Sequence, residues 1–132
     1  MSTTTLVARQ MEVWQFATTE HAARQARHAA TESLRSWGLD HTIEVMELLV
    51  SELVTNAWKA TADRDDTVAM RLTATPTDLF LEVWDANDAT PQRTAADVEA
   101  EGGRGLVLVE ALTSQWAFYR PRSGGKVVWC CL

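Results

Sequence analysis

Between residues 43 and 59 the apolar positions recur at the period of a helix. Ile43, Met46, Leu49, Val50, Leu53 and Ala57 follow the i, i+3, i+4, i+7 spacing of a face turned to a core. A second helical pattern runs from about Glu20 to Trp37, with Ala23, Ala30, Leu34 and Trp37 on its apolar face and Gly38 as its stop. Asp40 is the predicted N-cap of the helix that follows. Period-2 alternation marks a strand at Leu79, Leu81 and Val83. Further strands are predicted at Val7 to Phe16, Thr67 to Ala74, Trp116 to Tyr119 and Lys126 to Cys131. Turn residues separate them: Asp63 to Asp66, Thr75 to Asp78, and Pro121 to Gly125. A glycine-rich segment at Gly102 leads into a third apolar helix. The order is β, α, α, β, β, connecting segment, α, β, β. It predicts an α+β two-layer sandwich: a mixed, mostly antiparallel sheet with helices on one face, in one domain over 1–132.

Three places depart from plain core patterning. On the helix of residues 43–59, Glu52, Asn56 and Lys59 fall within about 60° of one another. The same stripe carries Leu48 and Val45 in the preceding turns. Spacing alone fits either a solvated face or a stripe turned toward a polar ligand. On the strand, Asp85 continues the apolar face of Leu79, Leu81 and Val83. It either begins the loop with Asn87 and Asp88, or lies at the floor of a pocket as an acceptor. Glu101-Gly102-Gly103-Arg104-Gly105-Leu106 runs into an apolar helix. That segment is either a flexible lead-in or an anion site built from exposed amides. It matches neither the Walker A nor the Rossmann glycine pattern.

Taken in order, the three segments resemble the histidine-kinase-like ATPase superfamily, whose nucleotide-binding domain is the Bergerat fold. Glu52-Leu53-Val54-Thr55-Asn56-Ala57 resembles its N box. Val83-Trp84-Asp85 with Pro91 resembles its first glycine box, and Gly103-Arg104-Gly105-Leu106 its second. Within the superfamily the likeness is to stand-alone anti-sigma-factor serine/threonine kinases, through Leu112-Thr113-Ser114-Gln115-Trp116 and Gly124-Gly125-Lys126-Val127-Val128-Trp129. The resemblance spans about residues 15 to 132.

The resemblance implies ATP and Mg²⁺ as cofactors. Asn56 is then the metal ligand, Glu52 the general base, and Asp85 the acceptor for the adenine amino group. Gly103, Arg104, Gly105 and Leu106 hold the phosphates, with Lys59 as a phosphate neighbour. Asn87 belongs to the base pocket, at a position where the superfamily usually has glycine; its side chain is expected to weaken nucleotide binding. Ala60 stands where the serine kinases often carry histidine. The segment between Pro91 and Gly102 is short, so any nucleotide lid is minimal, and the chain has no room for a histidine-bearing dimerisation domain. The implied activity is transfer of the γ-phosphate of ATP to an anti-sigma-factor antagonist, with sequestration of a sigma factor and a possible homodimer. Two other readings are open: a module that only binds nucleotide and partner, and a phosphotransferase or ATPase with another protein target.

Composition changes little. The 132 residues are 46% hydrophobic and 23% charged, ordinary for a globular domain. A net charge of −6 argues against direct nucleic-acid binding. No apolar run is long enough to span a membrane and the first residues do not form a signal sequence, so a cytoplasmic location is expected. Cys130 and Cys131 are adjacent on a predicted strand and read as packing residues. His21, His28 and His41 lack metal spacing and read as surface groups.

Overall fold

The computed structural model describes residues 9–61, 67–87 and 101–132, with the backbone alone over 101–106. Elements follow as β1 (Gln10–Ala17), α1 (Ala22–Ser36), a 3-10 turn (Asp40–Thr42), α2 (Ile43–Ala60), β2 (Thr67–Ala74), β3 (Leu79–Asp85), α3 (Glu101–Leu112), β4 (Gln115–Tyr119) and β5 (Lys126–Cys131). The predicted start of the first strand at Val7, the turn at 63–66, Pro91 and the lid segment lie outside the described residues.

The five strands form one sheet in the order β1-β2-β3-β5-β4. All four pairings are antiparallel, which narrows the mixed, mostly antiparallel sheet expected from the sequence. The architecture is the predicted α+β sandwich. Leu79, Leu81 and Val83 of β3 are buried, as are Val68, Met70 and Leu72 of β2. They meet Met46, Leu49, Val50, Leu53, Val54 and Ala57 of α2 in one core. α1 contributes Ala22, Ala23, Ala26, Ala30 and Leu34 to the same cluster. Its alanines leave room for α1 and α2 to pack closely, and Arg27 Nη1 donates to Ser51 Oγ across the seam at 3.0 Å.

Helix ends show what local sequence can and cannot predict. Gly38 stops α1 as expected: at φ 75° its amide donates to Arg35 O, and the Leu39 amide donates to Leu34 O. These are the paired bonds of a Schellman motif. Asp40 does not cap α2, contrary to expectation. It opens a 3-10 turn instead, and α2 begins at Ile43 with Thr42 as N-cap, whose hydroxyl donates back to Leu39 O at 2.7 Å. The tight turn uses up the residues between Gly38 and the helix, so the capping position moves two residues on. Cys130 and Cys131 are buried and unbridged, on opposite faces of β5 as adjacent strand residues must be. Burial pushes the Cys130 thiol up to about 12, with the neighbouring Cys131 adding to the shift, so Cys130 is a packing group.

Candidate functional site

Asp85 ends the buried face of β3 and is 2% exposed. Its Oδ1 accepts the Asn87 amide at 2.8 Å. Its Oδ2 lies 3.6 Å from the Nζ of Lys126, itself largely buried. Burial raises the Asp85 pKa above the ordinary carboxylate range, while the Lys126 charge, the Asn87 amide and the Arg120 charge pull it back. The carboxylate is therefore a desolvated acceptor with one loosely held oxygen.

The backbone register places Lys126 beside Asp85. In the antiparallel register Asp85 lies directly opposite Lys126, the first residue of β5. Just before it, Gly125 has φ 79°, and a Cβ there would stand 2.3 Å from Asp85 O and 2.8 Å from the Trp84 ring. Only glycine permits that approach. Trp84 Nε1 also donates to Gly124 O at 3.0 Å. Sequence reasoning missed Lys126 as a site residue. The glycine pair before it marked a turn and part of the family resemblance but not a partner for Asp85, because cross-strand register is not a local property.

Asn87 follows in the chain and connects this corner to α2. Its Nδ2 donates to Ala60 O at 2.7 Å, satisfying a carbonyl in the last turn of the helix. Thr61 completes that end, its hydroxyl donating to Ala57 O at 3.0 Å. Asn87 has ordinary backbone angles, as no described non-glycine residue has a positive φ. Its amide group is turned to the helix end, where it links β3 to α2.

α2 carries the polar stripe. Glu52 and Asn56 are half-buried and Lys59 is exposed. Glu52 and Lys59 each take part in a polar or electrostatic interaction within the fold. α2 packs against both β3 and α3, so the helix that carries one of the three singled-out segments touches the elements that carry the other two. The glycine segment differs from the sequence reading in one respect. Gly103, Arg104, Gly105 and Leu106 lie within α3, not in a loop ahead of it. An acid at Glu101 favours a helix start, and glycines cost least in a first turn, where amides have no intrahelical partner anyway. Val109 is fully buried and anchors α3 to the core, and Thr113 Oγ1 donates to Val109 O at 2.7 Å.

A buried carboxylate thus ends β3, an amide and a carboxylate are half-buried on the helix packed against it, and a glycine-bearing helix packs on that same helix. The match to known families agrees: the histidine kinase-like ATPase domain covers residues 16–132. The chain belongs to this family. Family membership implies ATP binding. Among curated proteins none matches the chain significantly. No helix among the described residues is long and apolar enough to cross a membrane.

The donor set suits a histidine kinase-like nucleotide site. A desolvated carboxylate such as Asp85 accepts strongly from an exocyclic amine. The half-buried amide oxygen of Asn56 and carboxylate of Glu52 are oxygen donors of the kind a hard divalent cation takes.

Proposed function

We propose that this histidine kinase-like ATPase domain is a serine/threonine protein kinase that acts on an anti-sigma-factor antagonist and sequesters a sigma factor. The observation that carries the nucleotide reading is Asp85, a carboxylate kept on the core face of a strand where an aliphatic residue would otherwise stand. There it accepts the adenine amino group. Asn56 holds Mg²⁺ through its side-chain oxygen. Glu52, one turn earlier on α2, takes the proton of the attacking hydroxyl. Gly103, Arg104, Gly105 and Leu106 hold the phosphates at the start of α3, with the exposed Lys59 as a phosphate neighbour. Bound ATP·Mg²⁺ supplies the transferable phosphoryl group and the charge that neutralises it. The chain's own residues position the base, orient the hydroxyl and accept its proton.

The Lys126–Asp85 ion pair favours a second reading, a partner-binding module with weak or absent turnover. A carboxylate already paired within the chain presents less to a nucleotide.

Two variants test the choice. Asn56→Ala is expected to weaken ATP binding sharply in magnesium, measured by calorimetry, with folding little changed. Glu52→Ala is expected to retain ATP and partner while phosphate incorporation into an antagonist falls about 10²–10⁴-fold. Equal ATP affinity in Asn56→Ala and parent removes the metal role. A parent that binds ATP and a partner but transfers no phosphate to any antagonist establishes the module reading.

A further inference from the structure

We propose that Lys126 is the resident partner of Asp85, which the nucleotide base must displace, and that it thereby sets the strength of base recognition in this chain. The inference rests on the reading of Asp85 as the base acceptor.

Three observations carry it. Asp85 is 2% exposed, so an incoming amine cannot reach its carboxylate unless something covering it withdraws. Its two oxygens are not equally committed. Oδ1 is held at 2.8 Å by the Asn87 amide, and Asn87 is itself fastened to Ala60 O. Oδ2 is paired, among the described residues, with the more distant Nζ of Lys126 at 3.6 Å, at the tip of a flexible four-carbon stem. The tip can leave; the backbone amide cannot. Finally, Lys126 is no wandering surface lysine. The Gly125 approach and the Trp84–Gly124 hydrogen bond fix its Cα opposite Asp85.

The exchange is therefore between a cation and a neutral amine for one buried oxygen. A charged partner in a desolvated place attracts a carboxylate more strongly than a neutral donor does. Binding must meet the difference, so base recognition is weaker than Asp85 alone would allow. Removing the cation while keeping its length should strengthen it.

The sequence contains only two lysines, Lys59 and Lys126, which makes the test direct. Protein carrying ¹³Cε-lysine gives two side-chain signals, assigned by Lys126→Arg. Adenosine, which has the base but no phosphate, is expected to move the Lys126 signal toward that of a solvated lysine. Tripolyphosphate, which has no base, is expected to leave it in place. By calorimetry at mildly alkaline pH, Lys126→Met is expected to bind ATP about tenfold more tightly than the parent, the scale of a hydrogen bond to a charged group. Lys126→Arg should stay as weak as the parent. If Lys126→Met does not fold, Lys126→Gln serves, with a smaller gain in the same direction.

Other outcomes separate the two layers of the argument. If Asp85→Ala abolishes ATP binding while adenosine leaves Lys126 unmoved and Lys126→Met binds no more tightly, the displacement is wrong and the acceptor reading stands. A Lys126 signal that answers to tripolyphosphate and not to adenosine makes it a phosphate ligand, which also overturns the proposal. If Asp85→Ala binds ATP as the parent does, or neither parent nor Lys126→Met binds any nucleotide, both readings fall together.

Discussion

β3 carries one acid–base pair on each face of the sheet, and the two are built in opposite ways. On the outer face Arg71 and Glu82 meet across β2 and β3 in a bidentate fork, with Nε to Oε1 at 2.9 Å. Their side chains are 44% and 21% exposed. On the inner face Lys126 and Asp85 meet through one loose contact at 3.6 Å, with side chains 11% and 3% exposed. The well-formed pair lies where water could replace either partner, so it contributes little beyond register. The loosely formed pair lies largely out of water, so separating it has a larger consequence than its geometry suggests. Geometric quality and functional consequence run in opposite directions here.

Breaking the inner pair through the backbone should have the largest effect. Gly125→Ala forces a Cβ into Asp85 O and the Trp84 ring at a φ that disfavours any side chain. A loss of at least about 2 kcal/mol in denaturant unfolding is expected. An unchanged unfolding midpoint would show that the hairpin is not locked.

Asp85→Ala removes the acceptor and leaves a buried ammonium. Stability should drop by about 3 kcal/mol, the low end for a broken buried pair because Nζ can reach outward to water. The preference for ATP over GTP should shrink, since a site that hydrogen-bonds a particular group strongly rejects its replacement. A variant that still separates the two bases fully would make Asp85 a structural residue only.

The pH dependence sharpens the contrast. Because burial raises the Asp85 pKa in the folded chain, the native state holds that proton more tightly than the unfolded state does. Its contribution is thus fully present below the unfolded aspartate value of about 3.9 and is lost as pH rises through the folded value. Lys126→Met takes away the charge that opposes the shift, so the decline should extend to higher pH than in the parent. Unfolding midpoints across the acid range measure this, and coincident curves for variant and parent would mean that Lys126 does not act on Asp85.

The smallest effect belongs to the outer pair. Glu82→Gln should alter stability by no more than about 1 kcal/mol and leave ATP affinity alone. Loss of nucleotide binding in that variant would bring the outer face into the site and erase the distinction drawn between the two pairs.

Much of the fold was legible because its signals are local. The alternation at Leu79, Leu81 and Val83 placed β3 and put Asp85 on its buried face. The 3.6-residue period at Met46, Leu49, Val50 and Leu53 placed α2 and aimed Glu52 and Asn56 away from its buried stripe. Gly38 marked the end of α1 because a left-handed residue there is a property of the chain itself. The same logic failed at Asp40 and at the Gly102 segment. Acid and glycine announce a helix terminus, but where the helix begins depends on how the preceding turn is accommodated.

From the sequence alone came the identity and order of the elements, the three polar interruptions and the family they resemble. These rest on periodicity and on spacing within one segment, and neither needs a neighbour in space. Tertiary structure alone decided what those interruptions touch. Asn87 satisfies the end of α2 although Ala60 is 27 residues away. Lys126 faces Asp85 because β5 pairs with β3 in one register, held by a glycine that admits the close approach. A one-residue slip would turn Lys126 to the other face of the sheet. Register is chosen by the packing of whole faces, which is why the partner of the buried carboxylate could not be read from the residues around it.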